Sequence, residues 1–168
     1  GEVRKLPKII RHLVYFFKLI KKSYRVDIMF AQDTVSVGFP TLWASRITGK
    51  RFLLRVPGDY AWEQATQRYG VKDSVDEFQH KKYGWLVEFL RKIQKITTNG
   101  AEVVITPSFY FKKLVSKWLK HPEKVFWVYN GINFSDIPVS LTTYESKTII
   151  SAGRLVPWKG FFTLIKIL

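Results

Sequence analysis

The residues with the plainest chemical potential lie near the end of the sequence, in Ser151-Ala152-Gly153-Arg154-Leu155-Val156-Pro157-Trp158-Lys159-Gly160. An apolar strand over 147–151 is expected to run into the Gly–Arg turn, and Lys159-Gly160 to open an apolar helix from Phe161 to Leu168. Two fixed cations, Arg154 and Lys159, beside a glycine-permitted turn and a helix N-terminus suit a doubly charged phosphate group. Carboxylates punctuate the earlier chain at Gln32-Asp33-Thr34 and Pro57-Gly58-Asp59, and an Asn130-Gly131 pair follows. His12, His80 and His121 have no ligand spacing, and a sequence without cysteine forms no disulfide or thiolate zinc site. No metal is expected.

These groups need elements to hold them. Apolar residues at helical spacing predict a helix from Pro7 to Lys22, and Val26 to Ala31 reads as a short strand. Gly38 and Pro40 open a helix through Trp43 and Ile47 that Thr48-Gly49 ends, before a strand from Arg51 to Val56. Asp59 to Asp73, polar and aromatic, reads as a loop with a helical turn or two. One long amphipathic helix is expected from Ser74 to Ile96, then a turn at Asn99-Gly100 and a strand from Glu102 to Thr106. Ser108 caps a helix over Phe109 to Leu119, and Lys124 to Tyr129 is a further strand. Strands alternating with helices predict an α/β protein: a Rossmann-like parallel sheet with flanking helices over 1–131. A polar linker over 132–146 and the opening β-turn-α of a second Rossmann-like domain over 147–168 complete the division. In such sheets ligands bind at the carboxyl ends of the strands. A cleft between the two domains would set Arg154 and Lys159 opposite Asp33 and Asp59, a cationic wall facing carboxylates.

The net charge is +15, with an isoelectric point of about 10.0. An anionic partner follows: nucleic acid, anionic lipid or a phosphorylated substrate. Residues 1–25 concentrate the cations, so the first helix either lies on an anionic membrane with Phe16 and Phe17 inserted or packs on the sheet with a basic outer face. No helix-turn-helix, RNA-recognition or zinc pattern supports nucleic acid. No Gly-x-Gly-x-x-Gly follows a strand, which argues against a dinucleotide cofactor. Neither a membrane span nor a signal peptide is visible, so a cytoplasmic protein is expected.

The Gly153-Arg154-Leu155-Val156…Lys159-Gly160 element, preceded by Val128-Tyr129-Asn130-Gly131-Ile132-Asn133, closely resembles the retaining family 4 (group 1) glycosyltransferases. Thr106-Pro107-Ser108-Phe109-Tyr110 with Leu114 and Trp118, and Gly38-Phe39-Pro40 with Leu42, Ala44 and Thr48-Gly49-Lys50, fit the same pattern. The resemblance covers residues 24–168. It implies a two-domain GT-B fold in which the C-terminal domain holds a nucleotide diphosphate-sugar and the N-terminal domain the acceptor. The reaction implied is sugar transfer, with retention, to a glycan or lipid-linked acceptor in cell-envelope polysaccharide or glycoconjugate synthesis. Arg154 and Lys159 would neutralise charge on the leaving diphosphate, without a metal, and Gly153 would let the backbone approach. Asn130 belongs to the same donor-side pattern. Asp59 stands where many members carry histidine, and is the candidate catalytic carboxylate or sugar-hydroxyl acceptor; its ordinary alternative is a turn or capping residue. An aspartate is a weak base at neutral pH unless its pKa is raised. Glu63, Tyr60 and Trp62 would line a sugar site, Trp62 being equally a core residue, and Asp33 and Thr34 would reach acceptor or form a plain loop. The family's opening strand with its glycine-rich loop and its two C-terminal glutamates are absent from the sequence, and Asn133 stands where aspartate is usual. The chain is therefore expected to be a piece of a longer enzyme on the inner face of a membrane, inactive by itself.

Overall fold

Four apolar runs separated by helices pair into one sheet, as their alternation predicts. The computed structural model describes residues 8–131 and 149–168, which belong to two units, Gly1–Tyr129 and Asn130–Leu168. The predicted linker over 132–146 lies outside the described residues. The first unit runs α1 (Lys8–Ser23), β1 (Ile28–Ala31), α2 (Gly38–Thr48), β2 (Arg51–Arg55), α3 (Tyr60–Arg68), α4 (Val75–His80), α5 (Trp85–Gly100), β3 (Val103–Thr106), α6 (Phe109–Ser116) and β4 (Val125–Trp127). The strands are all parallel, in the order β1-β2-β3-β4. This is an α/β, Rossmann-like architecture.

Each crossover carries a helix, and a constant hand puts the helices of successive crossovers on one face. Burial agrees. Met29, Ala31, Phe52, Leu54, Val104 and Val125 are buried, and most of them join Leu42 of α2 and Leu114 and Val115 of α6 in the main core. The alternate residues Ile28, Phe30 and Phe126 are about half exposed, at 45, 49 and 52%. Burying each core aliphatic contributes about 1.5–3 kcal/mol. The exposed Arg51–Glu102 pair that bridges the entry to β2 and β3 is screened by water and adds little.

Three local signals explain the sharpest boundaries. Gly49 takes the left-handed φ of 67° that ends α2, and its N–H donates to Ser45 O. Ser74 and Glu77 cap α4 reciprocally: Ser74 Oγ accepts from Glu77 N–H, and Glu77 Oε2 accepts from Ser74 N–H at 2.8 Å. Ser108 Oγ accepts from Phe111 N–H and starts α6.

Four expectations are corrected. Residues 60–68 form a full helix, α3, because Asp59 caps it. The long helix over 74–96 is two helices, broken at 81–84. Arg91 holds the break: its guanidinium lies 3.9 Å over the Phe78 ring, and it donates to Phe78 O and to Lys81 O at the end of α4. Helix α5 runs through the expected Asn99-Gly100 turn, since Gly100 packs so close to Leu42 that a Cβ would stand 2.4 Å from Leu42 Cδ1. The fourth correction concerns α1, which packs chiefly on α2 rather than on the sheet. It has more apolar residues than one face can cover, and Ile10, Leu13 and Phe17 stay exposed.

In the second unit, Pro157–Lys159 forms one 3-10 turn, and α7 spans Phe161–Ile167. The expected fifth strand is not formed over 149–151. A strand exists by pairing, and the described residues of this unit offer no second extended segment.

Candidate functional site

The ends of β1 and β2 bring the predicted carboxylates of the first unit into one neighbourhood. Ser36 Oγ lies 3.3 Å from Tyr60 OH and ties the loop after β1 to the first turn of α3. Gly38 allows this closeness, because a Cβ there would stand 2.2 Å from the backbone oxygen of Asp33. Asp33 is half-buried, and its Oδ1 accepts from Val35 N–H and from Ser36 N–H at 2.8 Å. Its Oδ2 holds no donor among the described residues, so one oxygen fixes the loop and the other is open to a ligand. Glu63 is half-buried, with Oε1 close over Gly58, 2.9 Å from where a Cβ would stand.

Asp59 differs. It is 2% exposed. Oδ1 accepts from Trp62 N–H and from Gln94 Nε2, each at 3.1 Å, and Oδ2 accepts from Gln79 Nε2 at 2.8 Å. Gln79 Oε1 in turn accepts from Trp118 Nε1 at 3.0 Å, and Gln94 Oε1 from Ala61 N–H at 3.2 Å and Thr34 Oγ1 at 3.4 Å. Both oxygens of this carboxylate are thus engaged by the chain's own donors, two on Oδ1 and one on Oδ2. Asp59 is the N-cap of α3 and the keystone of a buried polar network joining β2's end to α3, α4, α5 and the turn after α6. Its plainer sequence reading, a capping carboxylate, is the one the geometry bears out.

That network also settles two neighbours. Thr34 is buried within it, its Oγ1 donating to Gln94 Oε1. Trp62 packs with Ala61, Ala65, Phe78 and Val87 in a second apolar cluster, its Nε1 donating to Asp73 O at 2.9 Å. Gln79 and Gln94 were not singled out from the sequence. Their signal was present: Gln94 shares the side of α5 that carries Val87 and Leu90, where a polar residue needs buried partners.

A tyrosine–carboxylate pair secures the α4 region. Asp73 accepts from Lys81 Nζ at 2.6 Å and from Tyr83 OH at 2.7 Å, and both hydrogen bonds hold its carboxyl below the usual range. Burial, followed by the bond to Asp73, pushes the Tyr83 phenol up to about 12. These groups brace structure.

The second unit holds the predicted phosphate ligands. Arg154 and Lys159 are exposed, and neither side chain makes a hydrogen bond or ion pair among the described residues. The turn between them is closed by Val156 N–H to Arg154 O at 2.9 Å and Lys159 N–H to Val156 O at 3.0 Å. Gly160 follows at a left-handed φ of 69°, a conformation that suits glycine. A Cβ on Gly153 would only touch the Phe161 ring at 3.4 Å, a snug contact. Asn130 is exposed at the start of this unit.

Among the described residues no group of three or more His, Asp or Glu stands where it could hold a metal ion. No helix among them is long and apolar enough to cross a membrane. No protein-family model matches the chain, and no curated protein sequence matches it.

Proposed function

We propose that the protein is a retaining glycosyltransferase, or part of one, that takes a sugar from a nucleotide diphosphate-sugar and passes it to a glycan or lipid-linked hydroxyl. One observation carries the reading: Arg154 and Lys159 stand exposed, and without side-chain partners among the described residues, on a hydrogen-bonded turn that Gly160 closes. Charged groups left unpaired on a fixed backbone are preorganised for an anion. A diphosphate leaving group gains negative charge as the bond to the sugar breaks, which is where such cations lower a barrier. The resemblance of 151–160 and 128–133 to family 4 glycosyltransferases supports the same assignment. Asn130 belongs to this donor side. On the acceptor side, Asp33 Oδ2 is the group open to a sugar hydroxyl, with Glu63 near it at the start of α3.

Peripheral attachment to an anionic membrane belongs to the same reading. Ile10, Leu13 and Phe17 of α1 are 48, 54 and 64% exposed, and Lys18, Lys21 and Lys22 stand beside them. Apolar side chains flanked by cations suit insertion at the headgroup boundary, and a cytoplasmic leaflet supplies the anions.

The test is titration and turnover with nucleotide diphosphate-sugars, comparing the full-length enzyme with its Arg154→Ala and Lys159→Ala variants. Losing one charge-assisted phosphate contact costs about 1.5–3 kcal/mol, so each variant should bind donor about 10- to 100-fold more weakly. Donor affinity and turnover unchanged in both variants would remove the diphosphate assignment.

A further inference from the structure

A cleft of about 760 Å³ runs along α5 between that helix, Gln79 of α4 and the turn after α6. It is built wholly from the first unit, and its volume lies within the range of small-ligand pockets, about 300–1,000 Å³. Arg46, Lys92, Lys95 and Lys120 line it. Carboxylates do not answer them. Asp59, in the cleft wall, accepts from Trp62 N–H, Gln94 and Gln79 rather than from a lysine. Glu88 is taken by Arg91 at 2.9 Å, and Arg91 is itself tied to the break between α4 and α5. The side chains of Lys92, Lys95 and Lys120 make no hydrogen bond or ion pair among the described residues.

The wall that carries Lys120 is pinned. Asn99 Oδ1 accepts from Lys120 N–H at 2.9 Å, while Asn99 Nδ2 donates to Trp118 O at 2.9 Å and to Lys95 O at 2.8 Å. Lys92, Lys95 and Lys120 thus line one concavity, and Asn99 ties the backbone of Lys95 to that of Trp118 and Lys120. Like charges held together disfavour the empty site and favour a multivalent anion.

We propose that this cleft binds a soluble di- or oligophosphate, independently of Arg154 and Lys159. Lysines offer rotatable point charges that suit phosphate oxygens without a bidentate geometry. The concave, lysine-bearing surface separates this site from the exposed apolar residues of α1, so a dissolved anion rather than a lipid headgroup is the occupant.

Calorimetric titration with inorganic pyrophosphate at constant ionic strength tests the proposal, using the chain with Arg154→Ala and Lys159→Ala so that any phosphate turn in the second unit is silent. Saturable binding is expected in that background. It should weaken at least about tenfold in Lys92→Gln/Lys95→Gln/Lys120→Gln, and measurably in Lys120→Gln alone. Lys50→Gln/Lys72→Gln/Lys82→Gln removes the same charge outside the cleft and should leave affinity within about twofold. Absence of saturable binding overturns the proposal. So does equal weakening by the two triple variants, which would mean diffuse charge. Capture by phosphatidic acid vesicles without any response to pyrophosphate would also overturn it, assigning the lysines to a membrane. Loss of donor binding in Arg154→Ala alone bears on the glycosyltransferase reading and not on this site.

Discussion

Replacing Asp59 by alanine should unfold the first unit more easily before it affects any chemistry. The side chain is 2% exposed and accepts from Trp62 N–H, Gln94 Nε2 and Gln79 Nε2. Loss of the N-cap of α3 costs about 1 kcal/mol. Gln94 Nε2 then has no remaining partner in a buried position, which costs a further 1–3 kcal/mol or so. Gln79 loses less, because its Nε2 still donates to Val75 O at 3.1 Å. The total is about 3 kcal/mol, against a typical domain stability of about 5–15 kcal/mol. For a unit of this size that lowers the melting temperature by about 10 °C. Asp59→Asn keeps the cap and one acceptor but sets an amide donor against Gln79 Nε2. Gln79 must then turn its own oxygen away from Trp118 Nε1, so a loss of about 1–2 kcal/mol is expected. Urea and thermal denaturation of both variants give the order directly: alanine least stable, asparagine between, native most stable. Alanine within about 0.5 kcal/mol of native would refute the keystone role. Unchanged stability with abolished turnover would restore Asp59 to catalysis.

Other outcomes follow from single positions. Gly38→Ala drives a Cβ to within 2.2 Å of the Asp33 backbone oxygen, and should destabilise by at least about 2 kcal/mol; Gly49→Ala, with open space but a left-handed φ of 67°, should cost about 1 kcal/mol. Tyr83 and Tyr110 are pushed up to about 12 from 10.0, by burial first and by Asp73 and Asp76 second. A raised folded-state pKa makes their contribution complete below pH 10 and lost as pH rises through 12; in Tyr83→Phe, absorbance titration should lose one late ionisation, and stability should fall less steeply across that window. Leu13→Ser/Phe17→Ser should cut sedimentation with anionic vesicles at least about tenfold, since each buried apolar side chain contributes about 1.5–3 kcal/mol. Equal sedimentation of the native and doubly substituted protein would end the membrane role of α1.

Much of the scaffold was legible because its signals are local. Gly49 after an apolar helix, Ser108 before one, and short β-branched runs such as Val103 to Thr106 each carry their own physical cause. The errors arose where a local pattern had two tertiary outcomes. Apolar spacing continues from Phe78 to Ile93, so nothing local reveals that Arg91 reaches back to seal a break at 81–84. Asp59 followed by Glu63 is a helix-start pattern, yet Pro57-Gly58 and the surrounding polar residues made a loop the simpler reading. Asn99-Gly100 looks like a turn until Leu42 is packed against it. For the site, cation type and spacing pointed to Arg154 and Lys159, whereas the α5 cleft depends on Lys92 and Lys95 of one helix meeting Lys120 from the turn after α6. Spacing along a chain does not encode that convergence.

The strand order has a consequence for where ligands can sit. Crevices at the carboxyl edge of an open parallel sheet form where successive connections depart in opposite directions, leaving two loops splayed apart. From β1 to β4 every step goes the same way, so among the described residues the sheet has no such topological switch point. The loops after β1 and β2 lean together instead, as the contact between Ser36 and Tyr60 shows. Among the described residues, a pocket using Asp33 is therefore open toward the edge of the sheet at β1. Its affinity would follow whatever structure lies along that edge, even with every residue between Asp33 and Glu63 unchanged.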